Sequence, residues 1–138
     1  MVIDGITYNC VEQYMMAEKA RLFGDRDVEA AILRASDPAE QKALGRGVRG
    51  YNDAKWAAAR YAVVLKATLA KYRQNDELCN FLLATGQDTF VEASPEDTVW
   101  GIGMRRSDPD STNPARWRGT NLLGKAITEA RDIIRREG

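Results

Sequence analysis

The sequence predicts a mainly helical α+β fold, with a small β-sheet, in a single domain of 138 residues. Helical periodicity runs through most of the chain, and its longest apolar stripe falls at residues 54–73. Short β-forming segments next to turns, at residues 1–8 and at 90–91, indicate the sheet. A chain of this length buries roughly two thirds of its unfolded surface, which is enough for one core.

Composition excludes several classes of function. The 20 basic and 20 acidic side chains balance, so no overall field directs the protein toward nucleic acid or an anionic membrane. The absence of histidine excludes histidine-based triads, HExxH zinc sites and imidazole acid–base chemistry. Cys10 and Cys79 have no CxxC partner, so we expect reduced thiols, no metal site and no cofactor.

Hydropathy and the N-terminal sequence bear on location. No stretch approaches the length needed to span a bilayer. The N-terminus lacks a basic-then-apolar signal pattern. We therefore expect a cytoplasmic protein.

Caps and apolar spacing predict the helices. Asn9 is the expected N-cap of the first helix, with Glu12 in capping-box position. Asp37 before Pro38 starts the third helix, and Gly45 is expected to end it. The predicted helices cover residues 10–22, 27–35, 38–44, 54–73, 77–85 and 122–136.

The stretch from Thr89 to Gly103 combines acids, an aromatic ring and turn residues. Phe90 and Val91 predict a short buried strand that would place Glu92 at its end. Turn residues then project Asp97 from a loop, and Trp100 stands beside Gly101, where backbone permits close approach. An acid beside an aromatic platform suits a ribose-plus-base ligand. The alternative is structural: the acid caps the turn and the tryptophan fills the core.

Further candidate residues lie outside this stretch. Glu12 and Lys19 share a helix face that points at a ligand as easily as at water, and capping is the alternative for Glu12. Arg46 lies in a glycine-rich basic connection that either holds a phosphate or is a plain linker. Trp56 lies off its helix's apolar stripe, where it lines a cavity or covers a neighbouring helix.

Residues 104–118 form the longest segment without periodicity, which predicts a mobile lid or a solvated loop. Its arginines, at 105, 106, 116 and 118, form a local basic cluster. Beyond it, Gly124 leaves room near the start of the last helix for a ligand or a crossing backbone.

Fragments spread over nearly the whole chain form an ordered set with a specific spacing. They are VEQY at 11–14, Lys19, LGR at 44–46, Trp56, ATG at 84–86, VE at 91–92, Asp97, WGIG at 100–103 and GTNLLG at 119–124. This set resembles the NADAR (YbiA-like) superfamily, whose members are small, mainly helical α+β domains. The family usually has a strand-and-loop segment with a Ser-Asn-Phe type motif ahead of the position where this chain begins. Its absence here leads us to expect a truncated or late-started chain that lacks part of the ligand pocket.

The resemblance implies cleavage of N-glycosidic bonds in ribose-phosphate or ADP-ribose compounds. Such compounds include early riboflavin-pathway intermediates and ADP-ribosylated guanine in DNA. The family's active-site positions correspond to Glu12, Trp56, Asp97 and Trp100. Its substrate contacts correspond to Lys19, Arg46, Gly101 and Asn121, and we add Glu92 to the predicted substrate-binding set.

Hydrolysis of an N-glycosidic bond passes through an oxocarbenium-like centre, which a carboxylate stabilises while another acid protonates the departing base. Glu12 and Asp97 are the expected pair facing one pocket, with Asp97 preferred as the base. Trp56 and Trp100 would stack on the ligand. Lys19 and Arg46 would hold the substrate phosphate.

Three functions remain open. The first is hydrolysis of a small nucleotide-like substrate, such as a ribosylamino-pyrimidine phosphate. The second is removal of ADP-ribose from guanine in nucleic acid, with the arginines of residues 104–118 as a basic rim. The third is a non-catalytic ADP-ribose or nucleotide-binding domain. None of them involves a membrane.

Overall fold

The computed structural model describes residues 1–138 and confirms a mainly helical α+β fold with a small two-stranded sheet. The chain divides into two compact units, Met1–Asp76 and Glu77–Gly138. None of the helices combines the length and the apolar character that crossing a membrane requires. The elements are β1 (Val2–Ile3), β2 (Ile6–Thr7), α1 (Val11–Leu22), α2 (Arg26–Arg34), α3 (Pro38–Arg46), α4 (Asp53–Arg73), α5 (Asp76–Leu83) and α6 (Leu122–Glu137), with 3-10 turns at Pro109–Thr112 and Pro114–Arg116.

The N-terminal residues form the predicted turn as a tight antiparallel hairpin. Val2 pairs with Thr7, and Ile3 pairs with Ile6. Asp4 and Gly5 both have positive φ, 51° and 82°, as the two-residue turns that match strand twist require. The side chain of Gln74 then bonds both backbone groups of Val2, at 2.6 and 2.7 Å, and so ties the hairpin to the end of α4.

The start of α1 differs from the prediction by one residue. Cys10, not Asn9, is the N-cap, and its Sγ accepts a hydrogen bond from the Gln13 N–H at 3.4 Å. The Gln13 Oε1 in turn accepts from the Asn9 N–H at 2.7 Å. With Cys10 as the N-cap, Gln13 and not Glu12 stands three residues after the cap, and its side chain bonds the N–H of Asn9, the residue before the cap.

Helix α3 continues past Gly45, where the sequence predicted its end. Gly45 is buried, and a Cβ placed on it would lie 2.1 Å from the Met16 Sδ of α1. The glycine therefore serves a close helix crossing rather than a stop, and Gly47 takes the C-cap position. Arg46 is consequently a residue of the last helical turn, not part of a flexible connection.

The rest of that glycine-rich connection is also anchored. Val48 is buried, and the Arg49 guanidinium bonds Asp25 at 2.8 Å. The carboxylate of Asp25 also accepts from the Arg49 and Val28 backbone N–H groups. Bonds from Arg49 hold the pKa of Asp25 well below its ordinary value. The plain flexible linker is therefore corrected to a short structured turn.

Helix α4 has its core face rotated from the predicted stripe. Val64 and Thr68 are buried as expected, but Ala57 and Ala58 are exposed. Trp56 is only 6% exposed and lies on the buried side. Alanine has too little apolar surface to decide which helix face turns inward, whereas tryptophan carries a large one.

In the second unit, the predicted buried strand at Phe90 and Val91 is wrong. Val91 is 40% exposed, and the only sheet in the chain is the N-terminal hairpin. The segment is held instead by Asn121, whose Nδ2 donates to the Phe90 carbonyl at 2.9 Å, and by the Ile102 N–H, which donates to the Glu92 carbonyl at 3.0 Å. Local β-propensity could not supply the missing partner strand.

Helix α6 begins at the predicted residue, and the room left by Gly124 is filled by crossing backbone. A Cβ on Gly124 would lie 2.1 Å from the Phe90 carbonyl oxygen. That oxygen cannot move away without losing its bond from Asn121.

We expect the substitution Gly124→Ala to destabilise the protein. Overpacking against backbone costs about 1–3 kcal/mol, which outweighs the gain of up to about 1 kcal/mol that alanine brings to a helix interior. Urea unfolding measures the difference. The exposed neighbour provides the matched control, because Lys125→Ala should change stability by less than about 0.5 kcal/mol. A stabilised Gly124→Ala variant would contradict the close approach.

Candidate active site

The predicted site residues fall into two groups, one in each compact unit. The first group lies on α1, α3 and α4, and the second lies in the loop 92–101 and at the start of α6. The first comprises Glu12, Lys19, Arg46 and Trp56, and the second comprises Glu92, Asp97, Trp100, Gly101 and Asn121.

A partly buried lysine is the electrostatic centre of the first group. Lys19 follows Glu12 by two helical turns on α1, and the α1–α3 crossing at Gly45 brings Arg46 within electrostatic range. Burial lowers the pKa of Lys19, the positive charge of Arg46 lowers it further, and Glu12 acts in the opposite direction. Two cations therefore repel each other at a place where one carboxylate only partly compensates.

Tyr51 belongs with these residues, although the sequence analysis missed it. The Lys19 Nζ lies 4.7 Å from the centroid of the Tyr51 ring, within cation–π range. Phe23 packs edge-on against that ring, and the Tyr51 hydroxyl donates to the Asp53 Oδ1 at 2.8 Å. Tyr51 is still 44% exposed. Tyr51 lies between Gly50 and the N-cap of α4, outside any helix, so no periodic pattern in the sequence marked it. We call Glu12, Lys19, Arg46 and Tyr51 the Lys19 cluster.

Helix α4 contributes Trp56 and a residue that sequence analysis did not single out. Arg60 follows Trp56 by one helical turn on the same face. Its Nε is buried and makes no hydrogen bond. The sequence showed only a basic residue within an alanine-rich stretch. That its Nε is buried could be seen only in the folded structure.

Asp97 caps its own loop, as the structural alternative proposed. Its Oδ1 accepts from the Val99 N–H at 3.0 Å and from the Trp100 N–H at 2.8 Å. The Oδ2 takes part in neither bond. The loop therefore fixes the orientation of a half-buried carboxylate beside a half-buried tryptophan, which is compatible with a chemical role for the second oxygen.

Backbone bonds join this loop to the start of α6. The carbonyls of residues 98–102 accept from N–H groups of residues 118–123. Among them, Val99 and Trp100 accept from Leu122 and Leu123, each at 3.1 Å. These carbonyls occupy N–H groups that an open helix N-terminus would offer to a phosphate. The N–H groups of Leu122 and Leu123 are therefore not available to an anion.

The close approach predicted at Gly101 is made by the chain itself. A Cβ there would lie 2.8 Å from the Glu92 carbonyl oxygen and 2.9 Å from that of Asp97. A Cβ on Gly119 would lie 2.2 Å from the Gly101 carbonyl oxygen. These glycines allow two backbone segments to run in direct contact.

Asn121 is 2% exposed and has a left-handed conformation, with φ at 51°. Its Nδ2 donates to the Phe90 carbonyl, and its Oδ1 accepts from the Glu92 N–H at 3.0 Å. Both ends of its amide therefore hold the segment that carries Glu92, whose own side chain is exposed.

The arginine-rich segment 104–118 is more structured than its sequence suggested. Asp108 and Asn113 cap the two 3-10 turns, and the Trp117 Nε1 donates to the Ser111 carbonyl at 2.8 Å. Its arginines are exposed, at 105, 106, 116 and 118.

The NADAR domain model matches residues 1–135. The chain belongs to the NADAR family. An N-glycosidase of Acanthamoeba polyphaga mimivirus is 41% identical over 125 residues, 91% of this chain and 74% of that protein. Protein irg-1 of Caenorhabditis elegans is 35% identical over 131 residues, 94% of this chain and 62% of that protein.

The Escherichia coli N-glycosidase YbiA is 31% identical over 132 residues, 96% of this chain and 74% of YbiA. Its NMR structure superposes with a TM-score of 0.79 at 30% identity, covering 98% of this chain and 72% of that one. This NADAR protein is therefore an enzyme of the N-glycosidase class. That class favours turnover over the non-catalytic binding alternative.

We expect the Lys19 ammonium to titrate below the ordinary lysine range of about 10.4. Removing a neighbouring positive charge favours the protonated form, so Arg46→Gln should raise the pKa of Lys19. Removing the compensating carboxylate in Glu12→Gln should lower it further. NMR titration of the lysine side-chain signals measures all three proteins. Identical titration curves would disprove the coupling within the Lys19 cluster.

Proposed function

We propose that this protein hydrolyses the N-glycosidic bond of a ribose-phosphate compound, such as an early riboflavin-pathway ribosylamino-pyrimidine phosphate, in the cytoplasm. The observation that carries the proposal is the Lys19 cluster. Its partly buried ammonium has a lowered pKa because of burial and the nearby Arg46. A bound phosphate would supply the missing negative charge.

A phosphate suits this cluster because Lys19 and Arg46 repel each other. A phosphate dianion between Lys19 and Arg46 replaces their mutual repulsion with two attractions, and arginine adds paired hydrogen bonds. The start of α6 is not available for that purpose, because loop carbonyls bond its first N–H groups. Tyr51 would hold the Lys19 ammonium in place through its ring.

We propose that Glu12 and Asp97 carry the chemistry. Glu12 lies in the first turn of α1, within electrostatic range of Lys19. Asp97 is oriented through Oδ1, which leaves Oδ2 to activate water or to stabilise the oxocarbenium-like centre. The other carboxyl group would protonate the departing base. This scheme uses carboxylates and water alone.

The remaining predicted residues bind or position the substrate in this proposal. Trp56 and Trp100 stack on the base or the sugar ring. Gly101 and Asn121 contribute through the backbone geometry that they enforce around the acidic loop. Glu92 presents an exposed carboxylate from the segment that Asn121 holds.

The substitution Asp97→Asn should lower kcat by about 10²–10⁴-fold while leaving the fold intact. Asparagine keeps an Oδ1 that accepts from the Val99 and Trp100 N–H groups, so only the charge and the basic oxygen are lost. Mass spectrometry of base release from a ribosylamino-pyrimidine phosphate measures the rate. Glu12→Gln should give a comparable loss.

Asp97→Ala is the matched comparison, because it also removes the loop cap. If capping were the only role of Asp97, the asparagine variant would keep full activity and the alanine variant alone would fail. Equal loss of activity in both, with native stability in Asp97→Asn, supports a chemical role.

The second candidate function is removal of ADP-ribose from guanine in nucleic acid. The observation that favours it is the exposure of all four arginines of residues 104–118, a segment that also contains the two capped 3-10 turns. A neutral protein needs such a local basic surface to contact phosphates of a nucleic acid.

For this candidate, replacing Arg105, Arg106, Arg116 and Arg118 with serine should weaken binding to ADP-ribosylated DNA. The slope of log affinity against log salt should fall by about one unit per lost phosphate contact. Binding measured at two salt concentrations gives the slope. Unchanged binding in the fourfold variant, with unchanged release of the small-molecule base, would exclude the arginines as a nucleic-acid surface.

A further inference from the structure

A cavity of about 640 Å³ lies along α6, and its wall includes Phe90, Trp117, Lys125 and Arg131. Its volume falls within the range of small-molecule sites. Of the predicted site residues, Asn121 alone lines it, and the Asn121 amide is already bonded to backbone. The cavity therefore needs an explanation of its own.

Arg131 gives this cavity a buried charged wall. Its side chain is only 4% exposed, and its Nη1 donates to the Thr85 Oγ1 at 3.0 Å and to the Asp88 carbonyl at 2.8 Å. Its Nε is buried and makes no hydrogen bond. The Asp132 Oδ1 lies 3.9 Å from that Nε, which is an ion-pair distance but too long for a hydrogen bond.

The unbonded Nε of Arg131 belongs to the edge of the guanidinium group that typically binds oxyanions. The Nε and Nη2 atoms of arginine form a fork whose parallel N–H groups match the two oxygens of a carboxylate or phosphate. In Arg131 the opposite nitrogen, Nη1, is the one used to hold residues 85–88. The protein thus fixes the guanidinium through Nη1 and leaves Nε, one of the two fork nitrogens, without a hydrogen-bonded acceptor.

The other walls specify more than an anion. The ring of Phe90 lies 5.0 Å from the Arg131 Cζ, and Pro114 and Trp117 extend the apolar wall. The Trp117 indole is fixed by its bond to the Ser111 carbonyl. Lining charges of opposite sign offset each other, with Lys125, Arg131 and Arg136 against Asp88, Glu129 and Asp132. Selection therefore depends on the buried fork and the aromatic wall, not on net charge.

We propose that this cavity is a second ligand site, which binds a flat aromatic molecule carrying an oxyanion, the chemical class of the nucleoside monophosphates. The oxyanion bonds the Nε and Nη2 of Arg131, and the aromatic part lies against Phe90 and Trp117. Asp132 competes with the oxyanion for the same Nε. The loop that carries Asp97 and Trp100 does not line this cavity, so the ligand is bound here without being cleaved.

NMR titration with adenosine monophosphate tests the site directly, because the Nε–H signal of Arg131 reports hydrogen bonding at the fork. We expect a saturable shift of that signal and of the Trp117 indole N–H. Adenosine should not move the Arg131 signal, and inorganic phosphate should bind at least tenfold more weakly. No saturable shift, or equal affinity for inorganic phosphate, would overturn the proposal.

Matched variants separate this site from the rest of the protein. Asp132→Asn removes the competing carboxylate and should tighten binding several-fold, whereas Arg131→Lys removes the fork and should abolish it. Arg135→Lys, a change on the same helix to a residue that does not line the cavity, should leave binding unchanged.

Lys19→Ala should leave the Arg131 shift unchanged, which distinguishes this ligand from phosphate bound at the Lys19 cluster. If Arg131→Lys does not fold, Asp132→Asn decides alone. Unchanged or weaker binding in Asp132→Asn would overturn the proposal.

Discussion

Direct backbone contact between residues 98–102 and 118–123 is the constraint on which the second unit depends. The bonded carbonyls and N–H groups of these segments approach so closely that Gly101 and Gly119 have no room for a Cβ. The same arrangement occupies the first N–H groups of α6 and holds the loop in which Asp97 is oriented through its Oδ1. A site built on such a loop keeps its geometry because main-chain bonds fix it, while the side chains of Asp97 and Trp100 remain only half-buried.

An equivalent constraint in the first unit is the crossing of α1 and α3. Gly45 against Met16 lets two helices approach closely, so that burial and then the charge of Arg46 lower the pKa of Lys19. Placing like charges together costs free energy, which the phosphate proposed above would offset on binding. Tyr51 supports the same ammonium from its ring face. Packing and electrostatics together support the proposal that an anion binds at the Lys19 cluster.

Some features of the site were predictable because they are local. The turn residues 94–97 indicated an acid on a loop, and apolar spacing placed α1, α4 and α6 to within a few residues. Other features depended on partners distant in sequence. Gly45 was predicted to end a helix, but its contact with Met16 shows that it permits a close helix crossing. Phe90 and Val91 were predicted to form a strand, but the fold provides no partner strand for them. Cys10, not Asn9, is the N-cap of α1: its Sγ accepts from the Gln13 N–H, and the Gln13 side chain accepts from the Asn9 N–H.

The sequence by itself determined the helical content, the exclusion of histidine chemistry and, through its ordered fragments, membership in the NADAR family. Helical content follows from periodicity and the excluded chemistry from composition, and the family follows from the resemblance of the ordered fragments. Tertiary structure alone decided which polar groups are desolvated: the lowered pKa of Lys19, the buried Nε of Arg131, and the amide of Asn121 bonded at both ends. Burial and electrostatic coupling depend on distances between residues far apart in the chain, and sequence order does not contain those distances.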